Sequence, residues 1–380
     1  MNFSINFSSK GIGIPLLVLV LLSSCTQTWP PPGWKGSFVP RNDLRIAVFP
    51  VENLSATNAP IKEFKEFLTR TMRERGITVI EEEALEGFMA RNRIRYTGGI
   101  DIESARKLRE ETGAGAALIT SIELYSSINP PKIAVTSHLV ATEGDRRRIL
   151  WMDSIGLAGD SSPKILGLGL VKDPKILVQA VAEDLSDSLA GYLSEGVIRP
   201  ETRGRKRTFQ PKMQYGSLVR KEKDDLSVAV VPFHNLSSRS NAGEILSLHF
   251  IRYLKEVGNV SVVEPGDVRR KLLDARVILD DGISLANADL ISDRLQVDLI
   301  LTGRVFDYQD YQGEGGSTKV DFSVLVLERK SRKVVWYSRS NSDGNDRVYI
   351  FDWGALKTAN ELATEMVDAV VHSMMGQYYH

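Results

Sequence analysis

The chain has 380 residues, of which 42% are apolar and 25% are charged, as in an ordinary globular protein. Lysine plus arginine equals aspartate plus glutamate at 48 each, so no overall field steers the protein to nucleic acid or to acidic substrates. A single cysteine, Cys25, excludes an intrachain disulfide and a metal site built from several cysteines.

Residues 1–24 have the features of a lipoprotein signal peptide. Lys10 supplies a positive charge, and residues 12–22 form an apolar run that is shorter than the roughly 20 residues of a membrane-spanning helix. The run ends in Leu22-Ser23-Ser24-Cys25, which resembles a bacterial lipobox and predicts lipid attachment at the Cys25 thiol. An ordinary secretory signal beside a stray cysteine is the alternative. Thr26 stands where Asp would resemble an inner-membrane retention signal, so the sequence favours the outer membrane, on its periplasmic side.

Residues 25–42 are predicted to be a proline-rich tether. Three prolines stand between Trp29 and Trp34, and consecutive prolines favour a stiff, extended spacer. The tether would lift the first domain off the lipid surface. Alternatively, both indole rings rest at the membrane interface, where tryptophan side chains settle.

Residues 43–195 are predicted to form a first α/β module. Apolar residues recur at helical spacing from 61 to 75, Gly76 ends that helix, and Asp101 is the expected N-cap of a later one. Short connections between the later strands predict an antiparallel meander. The predicted elements are a strand at 44–48, a helix at 61–75, a strand at 77–81, helices at 83–92 and 101–112, strands at 116–126, 132–141 and 148–155, and a helix at 173–193.

Residues 196–224 are predicted to be a basic linker. From 196 to 225 the chain has nine lysines and arginines against four acids, and no apolar periodicity. The segment is interpreted as a solvated connection. The alternative is an electrostatic contact with anionic lipid or with lipopolysaccharide phosphates.

Residues 225–376 are predicted to repeat the first module. Apolar runs and helical stripes return in the same order as before. The predicted elements are a strand at 226–231, a helix at 242–257, a strand at 260–263, helices at 266–275 and 285–295, strands at 298–308, 317–327 and 334–340, and a helix at 353–374.

A tandem duplication explains this order. Residues 47–55 (AVFPVENLS) return as residues 229–237 (AVVPFHNLS), with six of nine positions identical. Four further blocks recur in the same sequence, among them residues 118–120, which match residues 300–302 at an offset of 182. The predicted fold class is therefore α/β (α+β), with two tandem copies of a β-α-β-α-α-β-β-β-α module around a mixed sheet.

Asn53 and Asn235 occupy the same place in the repeated motif, after a strand-ending proline and before Leu-Ser. An asparagine side chain can hydrogen-bond the backbone of its own turn, so both are expected to fix the chain between strand and helix. The alternative is a binding role, because strand ends in such sheets often border a ligand crevice.

Residues that could perform catalysis are few and scattered. None of the histidines has the spacing of a metal-ligand pair: they are His138, His234, His249, His372 and His380. The glycine-rich runs at 113–115 and 313–316 are interpreted as a helix C-cap and a hairpin turn rather than phosphate loops. We therefore expect no enzyme, no metal site and no cofactor.

Two loops that differ between the repeats are the candidate binding regions, because duplicated scaffolds diverge where they bind. Residues 156–172 include Leu166, Leu168 and Leu170 among glycines, and these leucines could contact a partner or lipid; an added strand is the alternative. In the second repeat, aromatic side chains near the hairpin and before the last helix are interface candidates, though they could equally close a core. They are Tyr311, Tyr349 and Phe351.

The strand-and-turn motif resembles a known module. An opening strand that ends A-V-x-P-[FV]-x-N-L-S, followed by a helix, an apolar strand ending in Glu and a three-strand meander, is similar to the TolB N-terminal domain, the CsgG-type secretion lipoproteins and the LpoB-type activators of penicillin-binding proteins. The resemblance covers residues 44–193 and 226–374. It implies envelope adaptor work through protein contacts, with no catalytic residues to transfer. The chain differs in having two modules, no propeller, and no long amphipathic insertions of the kind that build a membrane barrel.

Together these patterns predict a lipid-anchored periplasmic adaptor or scaffold of a cell-envelope assembly. It would bind envelope proteins, contact the membrane through its N-terminal lipid, and need neither nucleic acid nor a cofactor. The alternatives are an enzyme that acts on cell wall or polysaccharide, and a ring-forming oligomer of a secretion or export system.

Overall fold

The computed structural model describes residues 41, 43–144, 148–161, 170–196, 209–217, 225–279, 282–311, 317–346 and 356–376. All of them belong to one structural unit, Val39–His380. The predicted signal peptide, the tether, the lipidation site Cys25 and the candidate binding residues Leu166, Leu168, Tyr349 and Phe351 lie outside the described residues.

The first module contains the predicted helices. Asp101 caps one of them by accepting hydrogen bonds from the Glu103 and Ser104 amides, and Gly113 ends the same helix in the left-handed conformation, as N-cap aspartates and C-terminal glycines commonly do. In chain order the elements are β1 (Ile46–Val48), β2 (Glu52–Asn53), α1 (Ile61–Glu74), α2 (Glu82–Arg91), α3 (Ile102–Thr112), β3 (Ala116–Ser126), β4 (Lys132–Ala141), β5 (Ile149–Ala158) and α4 (Pro174–Glu195).

The second module follows the same order and is preceded by one additional strand. Its last helix begins six residues later than the predicted start at 353. The elements are β6 (Met213–Gly216), β7 (Leu226–Val230), β8 (His234–Asn235), α5 (Ala242–Glu256), β9 (Val260–Val262), α6 (Pro265–Asp274), α7 (Leu285–Leu295), β10 (Leu299–Gln309), β11 (Lys319–Glu328), β12 (Lys333–Asp343) and α8 (Ala359–Gly376).

Each module has its own mixed sheet, as predicted. In the first, β1 and β2 pair in parallel with β3, and β3, β4 and β5 form an antiparallel meander. In the second, β7 and β8 pair in parallel with β10, and the strand order is β6-β12-β11-β10-β7-β9. The parallel strands are joined through helices and the antiparallel ones through short turns, which is the usual division in mixed sheets. The α/β (α+β) fold class is therefore confirmed.

The strand register corrects one of the predicted sequence matches. Val48 of β1 lies opposite Leu118, and Val230 of β7 lies opposite Leu301. Leu118 therefore corresponds to Leu301 and not to Ile300, so the 182-residue offset for this block was wrong by one. Each middle strand also has a β-bulge at the same place, at Glu123 in β3 and at Phe306 in β10, which supports the corrected alignment.

Two predicted segments differ from the structure. The strand expected at 77–81 is reduced to an isolated parallel bridge between Ile46 and Val79, although its counterpart β9 is a regular strand. Within the predicted linker, β6 pairs antiparallel with β12. Because β6 joins the sheet edge through main-chain hydrogen bonds, it needs no alternation of apolar side chains, and its sequence does not predict a strand.

Helices cover both sheets, and one helical layer is shared. Helices α1 and α4 pack on one face of the first sheet, while α2 and α3 cover part of the other. Helices α5 and α8 together form a layer, called here the α5–α8 layer, that covers one face of the second sheet. Helices α6 and α7 cover part of the opposite face. Leu54, Ile149 and Met152 of the first module lie in the same apolar cluster as α5 and α8. The α5–α8 layer therefore lies between the two sheets, and the modules share a core.

Candidate functional site: the contact between the modules and its open counterpart

The second module covers the face of the first sheet that α2 and α3 leave open. Alternate residues of β3, β4 and β5 point to this side, and they are polar yet buried. Ser121, Lys132 and Ser154 are each 3% exposed, and Thr136 is 2% exposed. Buried polar groups need hydrogen-bond partners, and here the partners come from the other module.

Glu123 is the centre of this contact. Its carboxylate accepts a hydrogen bond from Thr136 Oγ1 at 2.5 Å and one from Asn360 Nδ2 of α8 at 2.6 Å, and His249 Nε2 of α5 lies 3.5 Å away. Burial alone would raise the pKa of the carboxyl, but the interaction with His249 and the hydrogen bonds from His249, Thr136 and Asn360 outweigh it and hold the pKa below its ordinary value. Asn360 also donates to Ser154 Oγ at 3.0 Å. The carboxylate is thus a shared anchor between the two sheets.

A second ionic contact involves Glu264, the N-cap residue of α6. Its carboxylate accepts the Gly266 and Asp267 amides of its own helix and the Ile100 amide of the first module, the last at 3.0 Å. Arg148 Nη2 lies 3.9 Å from Glu264 Oε2 and 2.6 Å from Asp267 Oδ2. Arginine and two carboxylates therefore join the first sheet to α6 in a largely buried ion pair, which stabilises only while all its members are present.

The two repeated turns also contact each other. Asn53 donates to the Thr57 carbonyl at 2.8 Å, and Asn235 donates to the Arg239 carbonyl at 2.6 Å. The predicted side-chain-to-backbone turns are therefore present. In the second turn, the Arg239 side chain extends into the first module and donates to the main-chain oxygens of Ser55 and Glu123. The turn thus has a role between modules that its sequence counterpart lacks.

Of the candidate binding residues, Tyr311 lies in the contact between modules. Lys132 Nζ donates to the Tyr311 carbonyl at 2.8 Å and lies over the tyrosine ring. Burial lowers the pKa of Lys132 to about 8. The Tyr311 hydroxyl donates to Asp160, which also lies 3.5 Å from Lys357 Nζ. Leu170 is half-buried.

The residues that hold this contact were missed in the sequence, and only a faint pattern points to them. Glu123 interrupts an apolar strand, and the corrected alignment places Phe306 at its position in the second module. A carboxylate at a site where the repeat has an aromatic ring indicates that the two faces meet different neighbours. Sequence periodicity marks such a face as buried without showing what buries it.

The corresponding face of the second sheet is open in the described residues. Arg304, Lys319 and Arg339 take the places of the buried Ser121, Lys132 and Ser154, and all three are exposed. The Arg339 guanidinium lies over the Phe306 ring at 4.5 Å and pairs with Asp321 at 3.0 Å. A shallow depression of about 300 Å³ lies beside them. The residues that line it include Lys212, Asp307, Lys319, Asp321, Asn341 and Asp343.

Two features are absent from the part of the chain that the structure describes. There, no group of three or more histidine, cysteine, aspartate or glutamate side chains is arranged to hold a metal ion. None of the helices within the same residues is long and apolar enough to span a membrane.

Comparisons with known proteins give structural likeness alone. No family model matches the chain, and a search of curated proteins found no match. Among solved structures, a PelC dodecamer from Paraburkholderia phytofirmans is 16% identical, with 41% of this chain and 96% of that chain covered and a TM-score of 0.28. The lipoprotein GNA1162 from Neisseria meningitidis is 22% identical over 38% of this chain and 98% of its own, with a TM-score of 0.28. The LpoB C-terminal domain from Salmonella enterica is 13% identical over 31% of this chain and 83% of its own, with a TM-score of 0.25.

Proposed function

We propose that the chain is a lipid-anchored adaptor or scaffold of a cell-envelope assembly, held on the periplasmic side of the outer membrane and binding protein partners without catalysis. The observation that carries the proposal is the packing of the two modules into one body with two different outward surfaces. One is the layer formed by helices α1 and α4, called here the α1–α4 layer, and the other is the open face of the second sheet. An adaptor needs two such surfaces in a fixed relation, and the shared core and the buried ion pairs between the modules supply that relation.

The polar groups of the contact support binding rather than chemistry. Glu123, Glu264 and Arg148 are each engaged with the opposite module or with a helix cap. A catalytic acid or base must instead reach a substrate. These buried charged residues therefore act in holding the modules together.

The anchor is tested by replacing Cys25 with Ser. Lipid chains attach a protein to a bilayer because each buried methylene contributes about 0.8 kcal/mol, so the Cys25→Ser chain should leave the membrane fraction or accumulate as an uncut precursor. Cell fractionation and the mass of the mature N-terminus give the result. Unchanged membrane association and processing would refute lipid anchoring.

The adaptor role is tested by crosslinking in intact cells, followed by purification of the tagged chain. A defined set of envelope proteins should copurify with the anchored chain and decrease with Cys25→Ser. Recovery of the chain without other envelope proteins would contradict the role. Hydrolysis of purified cell wall or polysaccharide by the purified chain would favour the enzyme alternative.

A further inference from the structure

The contact between the modules is head-to-tail. Apart from the two turns, the contact joins different surfaces of the modules: the open face of the first sheet receives the α5–α8 layer of the second. Such a contact between similar units leaves one surface of each kind unused at the two ends. Among the described residues, the two unused surfaces are the outer side of the α1–α4 layer on the first module and the open sheet face on the second.

We propose that these two free surfaces bind each other between copies of the chain, so that the α1–α4 layer of one copy docks on the open face of the second sheet of the next. This inference goes beyond the proposed function and does not depend on it. It rests on translating the contacts seen within the chain onto the equivalent residues of the two free surfaces.

The central contact translates into an apolar pair. Helices α1 and α5 present their apolar sides to their own sheets, with Leu68 and Phe250 in equivalent places, so Phe67 corresponds to His249. The partner of His249 is Glu123, whose bulge position is occupied by Phe306 in the second sheet. A buried polar pair within the chain thus becomes Phe67 against Phe306 between chains. Both positions are polar in the contact within the chain and both are aromatic in the proposed contact between chains, so the two surfaces remain complementary.

The peripheral contact translates into a charge pair. Glu264 and Glu81 are the N-cap residues of the equivalent helices α6 and α2. Arg148 directly precedes β5, and Lys333 takes its place at the start of β12. The 3.9 Å contact of Glu264 with Arg148 therefore becomes Glu81 with Lys333, whereas Asp267, the closer partner of Arg148, is replaced by Ala84. Glu81 and Lys333 are both exposed within the chain, and opposite charges are retained.

A third pair adds two cations that already have acidic partners. Helices α4 and α8 start at Pro174 and Ala359, so Lys175 corresponds to Asn360. The strand register pairs Arg339 with Ser154 in the same way. Lys175 Nζ lies 3.6 Å from Glu63, and Arg339 lies 3.0 Å from Asp321. The two carboxylates come with the cations, so the approach of the surfaces brings together two neutral pairs rather than two like charges.

The test is sedimentation velocity on the mature chain from residue 25, carrying Cys25→Ser so that lipid plays no part. The parent should associate in a concentration-dependent manner. Phe67→Glu and Phe306→Glu should each raise the concentration needed for association by about tenfold or more, since an aromatic anchor at the centre of an interface dominates its affinity.

Mixing the two variants distinguishes a head-to-tail contact from any other. Phe67→Glu retains a working sheet face and Phe306→Glu retains a working helical layer, so the mixture should form a one-to-one dimer and grow no further. Association in which both partners use the same surface would give no such rescue, and either that result or a monomeric parent would overturn the proposal. A monomeric parent would leave the face to solvent or to a different protein.

A charge exchange provides a second test at exposed positions where folding is not at risk. Glu81→Lys and Lys333→Glu should each weaken association, and the chain with both changes should recover it. If the double variant associates no better than the single ones, the translated ion pair does not exist and the docking geometry is wrong.

Discussion

Lys132 shows how one residue responds to the neighbouring module. Its counterpart Lys319 occupies the same position in the second sheet and is exposed, whereas Lys132 is buried against Tyr311. The ammonium group loses most of its hydration when the modules pack, and burial accordingly lowers its pKa. The difference between these two lysines therefore reports the module contact itself.

We predict a pH-dependent stability for the parent relative to Lys132→Met. The pKa of Lys132 falls from 10.5 to about 8 on folding, so between these values the unfolded chain binds the proton more tightly. Stability therefore rises with pH across this window in the parent and not in the variant. The melting temperature of the parent minus that of Lys132→Met should be larger at pH 10 than at pH 7.5. Lys319→Met is the matched control and should show no such change; an equal response of both variants would contradict the prediction.

The repeated turns determine how each opening strand passes into its helix. In both turns, the asparagine Oδ1 accepts a hydrogen bond from the main-chain amide of the serine two residues later. This serine is Ser55 in the first turn and Ser237 in the second. The turns differ in what they carry, because only the second contains a side chain, Arg239, that reaches the other module. Equal sequence therefore gives equal local structure and unequal roles.

Replacing the turn asparagines should separate these roles. Asn53→Ala should lower the free energy of unfolding by about 0.5–2 kcal/mol, as for the loss of a capping side chain. Asn235→Ala should cost more than Asn53→Ala, since it also releases the turn that positions Arg239. Urea denaturation of both variants measures the difference. Equal losses would show that Arg239 keeps its place without the asparagine.

Much of the element order was predictable from sequence because it depends on local patterns. The strand-proline-asparagine motif, the cap at Asp101 and the apolar stripe of α1 all specify structure within a few residues. The edge strand β6 and the register of β3 with β1 depend on main-chain pairing between distant segments, which leaves little trace in side-chain pattern. The candidate site was predictable least of all, since Glu123 is buried by residues more than a hundred positions away.

At the scale of the whole molecule, the described part of the chain behaves as one folded body with two sheets. Apolar residues of the first module lie within the core of the second, and ion pairs join the two modules. Separating the modules would expose this surface and leave buried charges without partners, which is costly. The predicted linker at 196–224 is therefore a covalent connection between parts that also hold each other without it.

A protease site inserted between residues 200 and 205 should test this. After cleavage, the two fragments should still coelute in size-exclusion chromatography. Glu123→Ala removes the shared carboxylate and should weaken their association by about 1–3 kcal/mol, the cost of leaving buried donors such as Asn360 Nδ2 without an acceptor. Separation of the parent fragments at micromolar concentration would show that the linker, and not the contact, keeps the modules together.

The two equivalent bulges have different residues, Glu123 in the first module and Phe306 in the second, and this difference affects which module can dock on which. Two modules of one architecture could stack in the wrong order while they fold. Docking a first module on another first module would bury Glu123 against Phe67, leaving the carboxylate without His249 or Asn360 and incurring the cost of an unpaired buried charge. The Glu123 carboxylate therefore favours docking of a second module over docking of another first module.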